Sequence, residues 1–296
     1  MQRCASERVS LSERYGGNLN ERRRLLLVFA YYPAISGLFY SLTDFSLSNP
    51  LEFIGMKNYA AMIHDRVFIS GFKNMGFILA ANLIKVSTFP LFTALLVFHL
   101  LHPRSRNFFK TAFIIPSIVP GIVTVLIWRM IYGSDVGLIN QTLELLGLPQ
   151  LRQAWLGNSR YALGSIIFAG FPWIGAFAFL IYFGGLINIS KELYDAAKID
   201  GANAWWCFWK IEFQLLKPQF GILLFFSYRG SIQAYSDIFV FTRGGPGFAT
   251  YVPGLQMYLE IADRGNYGYA SALGVVLFIV VFAVTIIVRS KRNRVY

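Results

Sequence analysis

Charge is scarce in this chain. Of 296 residues only 14% are Asp, Glu, Lys or Arg, where a soluble domain carries roughly 25%. Too few charges are present to clothe a water-facing surface, which excludes a soluble globular enzyme. Cysteine is limited to Cys4 and Cys207, far apart and without paired spacing, so neither a disulfide framework nor a thiolate metal site is indicated. The three histidines, His64, His99 and His102, are too few and too poorly spaced for a metal centre. Acidic residues number 15 and are scattered. They form no carboxylate dyad of the kind a membrane-embedded enzyme would use. No Gly-x-x-x-x-Gly-Lys-Ser/Thr loop occurs: Gly244-Gly-Pro-Gly247 lacks the following Lys and reads as a tight turn.

What the chain has in abundance is apolar length. Hydrophobic residues make up 55% of it and aromatic residues 17%, which excludes disorder and points to an integral membrane protein. A bilayer core about 30 Å thick needs about 20 apolar residues in helix. Six stretches answer that description: 25–42, 75–101, 111–132, 162–187, 219–241 and 267–288. Barrel strands would be shorter and would alternate, so the expected class is an all-helical bundle. Pro33, Pro90, Pro116, Pro120 and Pro172 fall within these spans, where neighbouring helices must accommodate each kink. No small-residue cleavage site follows the first run, which reads as an uncleaved anchor.

The net charge of +12 is distributed for topology, not for nucleic acid. With both termini inside, the cytoplasmic segments hold 17 basic residues and the external loops seven, the bias that retains Lys and Arg in the cytoplasm. The expected organisation is a cytoplasmic segment 1–24, a membrane domain 25–288 with a cytoplasmic loop 188–217, and a cytoplasmic tail 289–296. No internal repeat is evident, which weakens the reading as an ion-coupled secondary transporter.

The loop 188–217 is the most informative segment. Ser190 suits a helix N-cap, and Glu192 in the first turn suits the helix dipole. Gly201 fits the position just past the helix end. Leu193, Ala196 and Ala197 share a face, shallow enough for another protein to pack closely. A second amphipathic stretch, Trp205 to Phe213, is rich in Trp and suits the headgroup boundary. Periodicity alone leaves two readings open for this loop, an ordinary connector and a docking site.

Asp195-Ala-Ala197, Gly201 and the run to Pro218 resemble the EAA loop of bacterial ABC importer permeases. Asp195 stands for the usual Glu, and Glu212-Phe213-Gln214 replaces the usual Ile-x-Leu-Pro ending. Three further fragments resemble the carbohydrate-importing branch and occur in its order: Phe53-Ile-Gly-Met-Lys-Asn-Tyr59; Trp128-Arg-Met-Ile-Tyr132 with Gly137-Leu-Ile-Asn140; and Thr242-Arg-Gly-Gly-Pro-Gly247 followed by Tyr267-Gly-Tyr-Ala-Ser-Ala272. The resemblance implies a type I importer permease with six transmembrane helices and a cytoplasmic coupling helix. The coupling set would be Glu192, Tyr194, Asp195, Ala196, Ala197, Asp200 and Gly201. The implied partners are two ATP-binding subunits, which bind ATP and Mg, an external solute-binding protein, and a second permease, in this branch usually a different chain. No cofactor is expected in this chain, and none of its residues is expected to be catalytic. Closure of the ATPase pair would press the coupling helices together and turn the cavity outward. The implied location is the bacterial inner membrane.

Ionisable residues inside spans are functional candidates by default. Arg229, Gln233 and Asp237 recur at i, i+4 and i+8 on the fifth span, and Ser231 and Tyr235 form a second pair. In the family, substrate contacts cluster on this helix. The candidate pathway therefore comprises Lys85, Tyr228, Arg229, Ser231, Gln233, Tyr235 and Asp237, with Asn82 and Trp173 as weaker members. Packing charges paired to a partner permease are the competing reading for Arg229 and Asp237. Arg129 sits near the external end and is expected to snorkel. The excess of Lys85, Arg129 and Arg229 over Asp237 motivates an anionic cargo, uronate- or phosphate-bearing, as one expectation.

Overall fold

The computed structural model describes residues 21–48 and 50–292, and side chains as far as 286. The remainder of the expected terminal segments, residues 1–20 and 293–296, lies outside the described residues. Helices follow in chain order: α1 Tyr32–Tyr40, α2 Lys57–His64, α3 Arg66–Phe98, α4 Pro103–Ile114, α5 Gly121–Ile131, α6 Leu138–Leu145, α7 Ala162–Phe168 and α8 Ala176–Ile187. After them come α9 Lys191–Ile199, α10 Ala204–Cys207, α11 Phe213–Leu215, α12 Lys217–Ile232, α13 Ser236–Thr242, α14 Pro253–Ala262 and α15 Tyr267–Arg292. Among the described residues the only extended pairings are the isolated bridges Thr43–Phe53 and Ser46–Asn266, as an all-helical membrane bundle requires.

The chain divides into two compact units, 1–64 with 257–279 and 65–256 with 280–296. In the first, Asn58 donates through Nδ2 to the Ser41 and Thr43 carbonyls at 2.9 and 3.0 Å. The Tyr59 hydroxyl reaches Ser41 Oγ at 2.8 Å. The fragment Phe53–Tyr59 is thus a clamp on the segment leaving α1. Phe45 stacks against both Tyr40 and Tyr267, with centroids 5.1 and 5.2 Å away. The kink expected from Pro33 takes the form of a wide helical turn, Leu27–Tyr31, just before α1.

In the second unit α3 is the axis. It packs on α8 and α12 around Tyr182, Phe179 and Leu186, each wholly buried. Pro90 lies inside α3 without ending it. The kinks expected at proline become outright breaks in some spans, and one span without proline breaks as well. Among the described residues two helices are long and apolar enough to cross a bilayer unbroken, Arg66–Phe98 and Tyr267–Ile286. The third span bends by 89° between Pro103–Ile118 and Gly121–Ile131, because Pro116 and Pro120 remove the donors that would continue it. The fourth stops at Phe168 and resumes at Ala176. The fifth stops at Ile232 and resumes at Ser236. α3 itself ends at Phe98, so His99 is the turn residue beyond the span and not part of it.

Asn140 organises the segment between the third and fourth spans. Its amide is 1% exposed. It donates to the Ser134 and Gln153 carbonyls at 2.9 and 2.8 Å. Its oxygen accepts from the Gln153 N–H at 3.2 Å and the Trp155 indole at 2.8 Å. Every donor of that amide is used. A Cβ on Gly137 would fall on the Gly133 carbonyl oxygen, so the turn admits only glycine there. Asn140→Asp keeps the shape but loses both donors, and should cost about 3 kcal/mol or more. The thermal midpoint of the detergent-purified protein should drop, whereas Asn188→Asp, at an exposed amide, should leave it nearly unchanged.

Candidate functional site: a cavity at the span breaks and a projecting helix

The three interruptions open onto one cavity of about 350 Å³. Gly121, just after the break in the third span, lines it. So do Ala169 and Gly170 from the fourth and Ala234 and Asp237 from the fifth. α3 contributes Ile78, Asn82 and Lys85, and α5 contributes Thr124 and Trp128. Backbone that leaves the helix at membrane depth must face protein or water rather than lipid. A cavity at that point is what the broken spans require.

The breaks also explain where the polar side chains go. The Lys85 ammonium donates to the Ile167 carbonyl, one of the last-turn carbonyls of α7 that has no helical partner. It also lies 4.9 Å from the Trp173 ring centroid, a cation–π contact. The Trp173 indole donates to the Phe168 and Ala169 carbonyls at 3.1 and 3.0 Å. Arg129 is exposed and donates to the Val240 carbonyl near the end of α13 at 3.2 Å.

Of the predicted pathway residues, the structure brings Lys85 and Asp237 to the cavity wall together, and adds Asn82. Ser231 is buried; it donates to the Ser227 carbonyl at 2.8 Å and accepts from Asn82 Nδ2 at 3.0 Å. The Tyr228 hydroxyl donates to the Val280 carbonyl at 2.7 Å. Arg229 and Gln233 are exposed outside the cavity lining, and Tyr235 is half-buried before α13. The continuous stripe expected from Arg229 through Gln233 to Asp237 does not form, because α12 ends at Ile232 and Tyr235 turns the chain before Asp237. Asn82 and Lys85 were detectable in sequence, since Ile78, Asn82 and Lys85 recur at i, i+4 and i+7. Thr124 carried no signal of its own.

The second feature is α9, which leaves α8 at 64°. Ser190 occupies its N-cap position with extended backbone, although its side chain makes no capping bond. Glu192 is in the first turn and Lys198 in the last, matching the dipole. At the far end the Gly201 N–H bonds the Lys198 carbonyl at 3.1 Å and the Ala202 N–H bonds the Ala197 carbonyl at 2.9 Å. Gly201 has φ +72°. This is a Schellman cap, and it needs a residue at ease in the left-handed region. Ala197 is turned into the bundle, while Glu192, Asp195, Ala196 and Asp200 are exposed. Leu193 and Ile199 are 45% and 87% exposed, apolar groups left open on this helix. Tyr194 is half-buried, its hydroxyl donating to Glu212 Oε1 at 3.0 Å. Burial pushes that phenol above its ordinary value, and the charge and hydrogen bond of Glu212 push the same way.

The family described as binding-protein-dependent transport system inner membrane component matches residues 87–295. Among individual proteins, the probable ABC transporter permease protein YurN of Bacillus subtilis is 31% identical over 88% of this chain and 90% of its own length. The multiple sugar-binding transport system permease protein MsmF of Streptococcus mutans is 29% identical over 89% of each. A crystal structure of a bacterial ABC transporter involved in the import of the acidic polysaccharide alginate contains a chain of the same fold, with TM-score 0.85, 18% identity and coverage of 97% of this chain and 98% of that one. The all-helical architecture is that of a type I ABC importer permease.

Lys85→Met leaves the Ile167 carbonyl without its donor at the break. Its thermal midpoint should fall by an amount corresponding to about 1–3 kcal/mol, while Lys85→Arg, which can still donate, should retain most of the wild-type value. An unchanged midpoint in Lys85→Met would free Lys85 from any structural duty.

Proposed function

Because the chain belongs to the binding-protein-dependent transport system inner membrane component family, we propose that it lines the path of an ATP-driven importer for a sugar or oligosaccharide. An extracytoplasmic solute-binding protein would deliver the cargo. The observation that carries this reading is the pairing of a largely apolar cavity at three span breaks, into which Asn82, Lys85, Thr124 and Asp237 bring polar groups, with a capped, projecting helix whose exposed face has apolar Leu193 and Ile199 among charges. The names of relatives such as MsmF support a sugar as cargo. Both termini and α9 lie on the cytoplasmic side, as the placement of Lys and Arg argues.

In this reading α9 seats in a cleft of a separate ATP-binding subunit. Glu192, Tyr194, Asp195, Ala196, Ala197, Asp200 and Gly201 make up that coupling segment. Asp195 and Ala196 make contact, while Gly201 and the half-buried Tyr194 hold the helix at its angle. Two such ATPase subunits bind ATP and Mg, and a second permease completes the path. Lys85, Asp237 and Asn82 meet the cargo in the cavity, while Tyr228, Arg229, Ser231, Gln233 and Tyr235 shape or flank its wall. A tagged chain purified with its native neighbours should recover the ATPase subunit and a second permease. Asp195→Arg reverses a charge on the docking face, and Gly201→Asp strains the φ +72° cap; each should lose the ATPase while keeping the second permease. Recovery of a lone chain would instead bring the ion-coupled transporter forward.

The excess of Lys85, Arg129 and Arg229 over Asp237 within the spans motivates an anionic cargo, bearing uronate or phosphate, with Lys85 beside Asp237 on the cavity wall and Arg229 on the helix that flanks it. Arg229→Gln should then reduce uptake of a uronate oligosaccharide more than of its neutral analogue. Equal loss for both would contradict a charged cargo.

A further inference from the structure

The helix that carries Asn82 and Lys85 into the cavity ends against the coupling segment. Glu212 closes a wide helical turn, Phe208–Glu212, and is 2% exposed. One of its oxygens, Oε1, accepts from the Tyr194 hydroxyl of α9 at 3.0 Å and meets His99 Nε2 at 2.8 Å. His99 is the residue that closes α3. The Phe98 and Tyr194 rings lie 6.3 Å apart beside this contact. A carboxylate so far from water depends on its partners, and losing one leaves charge stranded. From His99 back to Lys85 the helix spans about 21 Å at 1.5 Å per residue.

We propose that Glu212, His99 and Tyr194 form a positioning latch that ties the coupling helix α9 to α3, and so to Asn82 and Lys85 on the wall of the cavity. The latch rests on reading α9 as the ATPase-docking helix. One carboxylate oxygen joins α9, the turn after it and the end of α3, so a displacement of α9 is delivered to α3 through polar contacts as well as packing. Glu212 faces His99, and Glu212 and Cys207 act on Tyr194. Arg106 of α4 lies close by, its guanidinium donating to the Leu100 carbonyl at 3.0 Å. The hydrogen bond to Glu212 holds the imidazole above its ordinary value of 6.5, burial opposes this, and the Glu212 charge adds to it. The charged latch is therefore complete below pH 6.5 and weakens as pH rises through the raised value.

The test uses the complex purified with its ATPase subunit in lipid nanodiscs, carrying Thr124→Cys as a cavity reporter in a Cys4→Ser, Cys207→Ala background. A charged thiosulfonate reads how far ATP with vanadate changes labelling, at pH 6 and at pH 8.5. The parent should show its full change at pH 6 and a diminished one at pH 8.5. His99→Gln should lose the change at both, His99→Lys should keep it at both, and Tyr194→Phe should lose part of it. A full change in His99→Gln, or a loss in His99→Lys equal to that in His99→Gln, would overturn the latch. Loss of the ATPase subunit from His99→Gln alone would place His99 in the docking contact and overturn the latch while leaving the coupling helix intact. An ATPase subunit missing from the parent would overturn both.

Discussion

A peptide carbonyl inside hydrocarbon must find a donor within the protein, because no water is there to supply one. That constraint arranges the centre of this molecule. An interrupted span frees backbone groups, and side chains reach them. At the break in the fourth span Lys85 of α3 takes the Ile167 carbonyl, and Trp173, within the break itself, takes Phe168 and Ala169. These side chains stand at the interruptions, and the interruptions face the cavity. A lysine in a membrane helix is costly. Here the cost is offset by a carbonyl and an aromatic face, and the amine still borders the open volume.

The breaks are tolerable only if the rest of the second unit is rigid. Between helices in lipid, close packing and interhelical hydrogen bonds replace the hydrophobic effect. Gly185 lets α8 approach closely enough that an added Cβ would lie 2.6 Å from Leu216 Cδ2. The Tyr182 hydroxyl crosses to the Val86 carbonyl of α3 at 3.2 Å. α3 therefore has one end seated in a dense core, its middle facing the cavity, and its terminal His99 on the carboxylate that also holds α9. The cavity wall and the contact to α9 share this helix.

The segment forming α9 was the most legible part of the sequence, because its signals are local. Glu192 at a helix start and Gly201 at its end need only neighbours within a turn, and the Schellman bonds form where Gly201 predicts them. Asn140 and Asn58 were legible only as members of motif-like fragments. Their task, holding loop carbonyls up to 17 residues away in sequence, has no periodic signature. The breaks were the hardest to read. Pro116, Pro120 and Pro172 announced trouble, but Pro90 sits in a continuous helix, so proline alone does not say where a span opens. The stop after Ile232 has no proline at all, and this is why Arg229 and Asp237 were expected on one stripe. Glu212 gave no signal as a partner of His99, since the two are 113 residues apart.

If the cavity is part of the transport route, the face of α3 bearing Ile78, Asn82 and Lys85 borders an aqueous path rather than lipid or a dry core. Cysteine scanning along α3 in the assembled complex, with a charged thiol reagent against a lipid-soluble one, tests it directly. Reactivity toward the charged reagent should peak at 78, 82 and 85, while Phe77 and Ile84, exposed on another face of the helix, should react with the lipid-soluble reagent alone. Uniform protection of positions 78, 82 and 85 from the charged reagent in every nucleotide state would contradict the account.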